Sequence, residues 1–346
     1  MLRRIVILVG ALVALGGVGA VVVVTELSDR LATSYRGYAS AEVLVDIEPG
    51  DSIQTIAERL ASAGVVRDNW TFRLAAWRRG RDRELQAGEY HFEQPLSAIE
   101  VVDQIASGKV YLRPITFAEG LTIGEMARTF QDAAFGTAEA FLSAARRVEL
   151  IAEFDPTATD LEGYLFPETY SLPRGATSHD LVEAMVAEFR RVFSGTLREE
   201  AERRRMTVRA VVTLASLIQK ETGSLEEHEL VSAVYNNRLR IGMPLQCDPT
   251  VIYALQLADL YNGNLTRANL EFDSPYNTYR HAGLPPGPIA SAGQAALKAA
   301  LRPADVGYLY FVSRNDGTHA FANTLNEHNR NVRRFQVEYF RRQRSG

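Results

Sequence analysis

The sequence predicts an α+β protein with an N-terminal transmembrane helix, a small β-α-α-β subdomain, and a larger mixed α/β domain carrying a glutamate at a helix end. Three observations carry that prediction. The first is an unbroken apolar run from Ile5 to Val24, about 20 residues and long enough to cross a bilayer as a helix,. The second is a pattern of extended segment, turn, Ser or Thr cap and short amphipathic helix that recurs after residue 41,. The third is the stretch Val208 to Gly223, VRAVVTLASLIQKETG, whose apolar residues return at helical spacing,. They divide the chain into an anchor (1–25), a polar tether (26–41), a small subdomain (42–112), a connecting βα and helical region (113–200) and a main domain (201–340).

At the N-terminus, Arg3 and Arg4 precede the apolar run and Glu26 and Asp29 follow it. The positive-inside rule then places the N-terminus in the cytoplasm and the remaining chain outside, as a single-pass protein of the cytoplasmic membrane. A cleaved signal peptide is the rival reading, with Gly17 and Gly19 as small residues near a cleavage site,. Val21 to Val24 continue the apolar run past that site and favour the anchor.

The first copy of the repeated pattern, VLVDIEPGDSIQTIAERLASAG, turns at Pro49 and Gly50 and places Ser52 to cap a helix bearing Ile53, Ile56, Ala57 and Leu60,. A second helix follows around Trp70 to Trp77, then a strand at Gly88 to Phe92. This order resembles a LysM-like carbohydrate-binding module, and a purely structural spacer is the other reading. The second and third copies are FEQPLSAIEVVDQIASG and ITFAEGLTIGEMARTFQ. Beyond Ala133 the pattern is mostly helical, interrupted by LEGYLFPETYSLPRG. The rings of Tyr164, Phe166 and Tyr170 either line a saccharide cleft or fill the core.

In the main domain Glu221 lies seven, four and three residues after Leu214, Leu217 and Ile218, so its carboxylate shares their face,. Burial there would raise its pKa and make it a general acid; a helix-end glutamate paired with an arginine is the alternative. Helical spacing resumes over Glu226 to Leu239 and turns the Asn237 amide inward. Asp248 and Pro249 form an N-cap and N1 pair for the next helix,. The long loop SPYNTYRHAGLPPGPIASAG follows, and long ordered loops tend to carry function. YLYFVS and HAFANT read as a β-hairpin, and a basic amphipathic helix over Asn326 to Arg344 closes the chain,.

Composition narrows the chemistry. A net charge of -4 argues against nucleic acid as the main partner,. Arginines at 78–83 and 203–205 read as solvated faces or helix ends,. One cysteine, Cys247, forbids an intramolecular disulfide and a thiolate metal cluster,. The histidines lack ligand spacing, Ser216 lacks a GxSxG setting, and no glycine-rich phosphate loop follows a strand,. No metal and no cofactor is expected. A helix-borne acid, polar loops and an exported domain suit a glycan. Glu226, Glu227, Glu229 and Asp248 are the candidates for a second carboxylate,.

The runs TLASLIQKETG, ELVSAVYNNRLRIGMPLQCDPTVIYAL, SPYNTYRHAGLPPGPIASAG, YLYFV and HNRNV closely resemble the endolytic murein transglycosylase, or YceG-like, family, over nearly the whole chain. The resemblance implies cleavage of the β-1,4 bond between N-acetylmuramic acid and N-acetylglucosamine in nascent peptidoglycan, leaving a 1,6-anhydro end, with peptidoglycan synthases as neighbours. It assigns catalysis to Glu221 of the Lys220, Glu221, Thr222 triplet. Gln219 departs from the glutamate often found at that position in the family. Substrate contacts are expected from Asn237, Gln246, Asp248, Tyr276, Asn277, Thr278 and Tyr279. A hydrolytic muramidase and a non-enzymatic wall-binding scaffold remain the alternatives.

Overall fold

Val43 to Ile47 alternate between faces, and the computed structural model, which describes residues 22–341, makes them strand β1 (Val43–Ile47) with Val45 and Ile47 buried,. The anchor predicted over Ile5 to Val24 falls almost wholly outside the described residues, and among these no helix is long and apolar enough to cross a membrane. Helix α1 occupies residues 22–32 and contributes Leu31 to the core.

The described chain divides into two compact units, one of residues up to Arg113 plus Ser171–Gly175, the other of Pro114–Tyr170 plus everything from Ala176 onward. In the first, the turn after β1 leads to α2 (Ile53–Ser62), started by Ser52, whose side chain accepts from the Thr55 amide,. Asp68 caps α3 (Asn69–Arg79) in the same way, and Gly80 ends it in the left-handed conformation with φ 66°,. Strand β2 (Gly88–Phe92) returns antiparallel to β1, pairing Val43 with Phe92. A Ser97/Glu100 capping box starts α4 (Ala98–Ala106),. Leu60, Phe72, Ala75, Tyr90, Val101 and Ile105 fill the core between these elements. The strand-helix-helix-strand order is the one expected from the sequence.

Strands β3 (Leu112–Thr116) and β4 (Thr169–Pro173) pair with each other. Between them come α5 (Ile123–Asp132) and α6 (Ala138–Ala144), followed after β4 by α7 (Ser178–Val192) and α8 (Thr196–Arg203). Tyr164, Phe166 and Tyr170 are buried here; Tyr164 donates to Asp155 and Tyr170 to the Phe166 carbonyl. They are core side chains rather than a saccharide platform, because each hydroxyl has a buried partner.

Helix α9 (Val208–Glu221), capped by Thr207, is the centre of the second unit. Val211, Val212, Leu214, Ala215, Leu217 and Ile218 are all 0% exposed. Around it pack α10 (His228–Arg240), α11 (Asp248–Leu257) and α12 (Gln294–Leu301). Alanines at 296, 299 and 300 let α12 approach α9 closely,. Ser216 accepts from the Ile289 amide at 3.0 Å and so fixes the long loop to α9. The predicted hairpin is β5 (Tyr310–Ser313) and β6 (His319–Ala322), antiparallel with Tyr310 opposite Ala322. The last helix is α13 (Leu325–Val332), which continues as a π-helical segment over Arg333–Glu338.

Candidate active site

Glu221 is the last residue of α9, where the helix stops because Thr222 takes an extended conformation with φ -141°. Its carboxylate is half-buried and meets two donors from other elements. Tyr235, one face of α10, donates to Oε1 at 2.6 Å. The Cys247 thiol, at the start of α11, is hydrogen-bonded to both Glu221 and Tyr235. Burial raises the Glu221 pKa above the ordinary carboxyl value; the two donors and His319 oppose that rise, and Asp248 adds to it,. Among the described residues no arginine or lysine forms an ion pair with Glu221, so the arginine-paired alternative does not hold. Burial also pushes the Tyr235 hydroxyl and the Cys247 thiol well up, which keeps both as neutral donors.

The carboxylate opens into a cleft of about 330 Å³, walled by Arg238, Gln246, Asp248, Tyr279 and His319 with the edge of β5. Gln246 adopts φ 51°, an uncommon conformation for a residue with a side chain, and is held there because its amide donates to the Thr278 carbonyl at 3.1 Å,. Asp248 is expected from the sequence to cap α11. Instead Cys247 occupies the N-cap with no side-chain bond to the helix, and the Asp248 carboxylate accepts from the Tyr279 hydroxyl. The tyrosine offers a neutral O–H donor, so the carboxylate turns toward the cleft.

Of the residues expected from the sequence to meet substrate, Glu221, Gln246, Asp248 and Tyr279 share this cleft. The remaining four are placed outside its lining. Thr278 is buried and its hydroxyl accepts from the Cys247 amide at 3.0 Å, which fixes the loop bearing Gln246. Asn277 is buried and donates to the carbonyls of Leu270 and Phe272 while accepting from the Tyr279 amide, which fixes the loop bearing Tyr279. Asn237 turns inward and donates to the carbonyls of Val306 and Tyr308, just ahead of β5. Tyr276 packs edge-on against Tyr253, ring centroids 5.0 Å apart. Gln219, beside the triplet, accepts from the Gly293 amide, and Lys220 donates to the Gly120 carbonyl.

Two wall residues carry no single-residue signature in the sequence. Arg238 is buried without a carboxylate; it donates to the carbonyls of Leu309 and Leu245 at 2.6 and 2.7 Å and lies over the Tyr310 ring. It therefore joins β5 to the loop before α11. His319 is gripped by Glu227, whose carboxylate takes the His319 amide at 2.8 Å and faces Nδ1 at 2.7 Å. Thr222 donates to the same carboxylate. Glu227 is thus committed to orienting His319, and the ring atom it leaves unengaged is Nε2. Of the other acidic candidates, Glu226 and Glu229 are exposed and outside the cleft lining, which leaves Asp248 as the second carboxylate beside Glu221.

A second cavity, of about 340 Å³, holds the buried Glu162, whose pKa burial raises to about 8. Its two oxygens accept from the Ile123 amide at the start of α5 and one also from Tyr253. That carboxyl serves a helix terminus, whereas Glu221 caps nothing.

A family model described as the YceG-like family matches residues 45–334. An endolytic murein transglycosylase from Bacillus subtilis (strain 168) is 33% identical over 83% of this chain and 83% of its own length. An endolytic murein transglycosylase from Streptococcus pneumoniae serotype 2 (strain D39) is 30% identical over 84% of this chain, which spans 58% of that longer protein. A crystal structure of a YceG-like protein from Listeria monocytogenes superposes with a TM-score of 0.58 at 29% identity, covering 84% of this chain and 98% of the other. The chain belongs to the YceG-like family.

Proposed function

We propose that this YceG-like chain is a membrane-anchored lytic transglycosylase that cleaves the β-1,4 bond between N-acetylmuramic acid and N-acetylglucosamine in nascent peptidoglycan. The single observation that carries the reading is the Glu221 carboxyl, partly buried, held by Tyr235 and Cys247, in no arginine ion pair among the described residues and open to a cleft. A carboxyl whose pKa is raised is protonated closer to neutral pH, as proton donation to a glycosidic oxygen requires. The names of the relatives supply the substrate class.

In the proposed reaction Glu221 gives its proton to the bridging oxygen as the bond from the muramic C1 breaks. Positive charge develops on the ring, and the muramic C6 hydroxyl attacks C1. Its proton passes to the Glu221 carboxylate, which restores the acid, and no water is consumed. Asp248 faces the developing positive charge, while Gln246 and Tyr279 orient the sugars. Asn237, Tyr276, Asn277 and Thr278 act by holding the loops that carry them. The run from Ile5 to Val24 anchors the chain, the first unit is a LysM-like module, and the product strands come from membrane-bound peptidoglycan synthases, whose chains the cleavage releases.

Asp248 favours one second reading. A carboxylate in the same cleft as the acid could direct a water molecule to C1, giving a muramidase. Mass analysis of products from purified full-length chain and peptidoglycan separates them. Transglycosylation gives anhydro ends one water lighter than the reducing ends of hydrolysis, and a wall-binding scaffold gives no fragments. Reducing ends alone would overturn the transglycosylase reading.

A further inference from the structure

Helix α3 carries an exposed face flanking Leu74, which packs against the core of the first unit. Trp70, Arg73 and Trp77 follow i, i+3, i+7 spacing and share one exposed face, opposite the buried Phe72, Ala75 and Ala76,. Trp77 is 73% exposed, and these two are the only tryptophans in the sequence. Arg78, Arg79, Arg81 and Arg83 crowd the C-terminal end of the helix and the turn after it. Arg79 pairs with Asp103 and Arg81 with Glu84, whereas Arg83 has no side-chain partner among the described residues.

Helix α1 fixes where this stripe stands relative to the apolar run. Arg30 lies over the Trp70 ring and donates to Thr71, while Arg78 donates to Ser28 at 3.0 Å. The order of contacts is opposite along the two helices, so the C-terminal end of α3 is the end nearer the start of α1. The apolar run ends at Val24, four residues before Ser28. At about 1.5 Å per residue that is roughly 6 Å along the helix axis. On the anchor reading of Ile5 to Val24, a bilayer's headgroup layer, about 5–8 Å deep on each side, reaches the part of α1 that Arg78 contacts,. Indoles gather at that level, and arginines there meet lipid phosphates.

We propose that the C-terminal end of α3 seats the first unit on the membrane surface, with the Trp77 indole in the interface and Arg78 and Arg83 on the phosphates of anionic lipids. Trp70, covered by Arg30 at the other end of the helix, stays above the interface. This rests on the anchor reading of Ile5 to Val24. It adds a second, electrostatic attachment, which holds the unit against the leaflet.

With two tryptophans, intrinsic fluorescence tests the idea in the full-length chain. The Trp70→Phe chain, reporting Trp77 alone, is reconstituted into vesicles of phosphatidylethanolamine and phosphatidylglycerol containing a lipid brominated near the headgroup. Emission is expected to shift to the blue and to be quenched severalfold more than in the Trp77→Phe chain, which reports Trp70. Arg78→Glu with Arg83→Glu is expected to reduce that quenching, as is replacing the anionic lipid by phosphatidylcholine in vesicles holding the same brominated lipid. Flotation with the vesicles after carbonate washing, but with unquenched, water-like Trp77 emission, would overturn the inference and leave the anchor intact. Failure to float would overturn the anchor reading and the inference with it. An emission change on adding soluble peptidoglycan strands, without bromolipid quenching, would assign the stripe to glycan and equally overturn the proposal.

Discussion

Tyr235 Oη lies 2.6 Å from Glu221 Oε1 and donates to it, tying the middle of α10 to the end of α9. That bond favours the ionised carboxylate, whereas burial, the larger effect, favours the protonated acid,. Tyr235→Phe keeps the ring against Phe311 and removes only the donor. The Glu221 pKa should then rise further, so the basic limb of the kcat/KM profile moves to higher pH. The loss at neutral pH should stay within about tenfold, the worth of one such bond. An unmoved limb would show that another group governs it.

Glu221→Gln should separate chemistry from stability. Loss of a general acid lowers the rate by about 10²–10⁴. Stability should move the other way. Because the folded-state pKa is raised, the folded chain keeps a proton that the unfolded chain has lost, and stability falls as pH rises above the ordinary carboxyl range near 4.5,. Glutamine cannot ionise, so the variant should melt higher than the parent at neutral pH. Turnover assays with melting curves check both; activity near that of the parent would remove Glu221 from the chemistry.

The same linkage applies at Glu162. Its pKa is raised from 4.5 to about 8, so between those values the folded chain binds the extra proton. Stability should decline across that window by up to about 1.4 kcal/mol per pH unit. Glu162→Gln keeps an acceptor for the Ile123 amide and the Tyr253 hydroxyl and should remove most of the decline. Denaturant titrations from acid to mildly alkaline pH measure it; a parent whose stability is flat there would contradict the burial argument.

These contrasts also show what a sequence discloses. The caps of the repeated pattern were legible because their chemistry is local: Ser52 in the first copy and Thr122 in the third each accept an amide three residues on,. The hairpin was legible from two short apolar runs around a turn, and α9 from its period. Glu221 stood out as a carboxylate on an apolar face. Its partners did not, because they come from separate elements: Tyr235 from the facing helix, Cys247 from the start of α11, and His319 from β6 through Glu227, 92 positions away in the chain. Of the two readings the sequence supports for Asp248, the cap fails although Asp-Pro is a helix-start signal, because the tertiary approach of Tyr279 draws its carboxylate elsewhere. The burial of Tyr164, Phe166 and Tyr170 likewise depends on what packs over them, which ring chemistry alone does not specify.

The Glu227–His319 pair gives a last prediction, in which position and chemistry can be told apart. Glu227 accepts the His319 amide and the Thr222 hydroxyl in a buried setting and faces the imidazole Nδ1. Glu227→Ala leaves buried donors unpaired, each costing about 1–3 kcal/mol, so it should lower the melting temperature clearly as well as activity. His319→Ala removes only the ring, at the cleft wall and against Phe311. It should cost less stability than Glu227→Ala while lowering kcat, because the cleft loses the imidazole edge that Glu227 aims and Glu221 loses a group that offsets its raised pKa. The basic limb of the pH profile should then move upward, as in Tyr235→Phe. Parallel melting curves and pH-rate profiles of the two variants check this. If His319→Ala matches the parent in both kcat and pH profile, the imidazole is a packing group and Glu227 serves the fold alone.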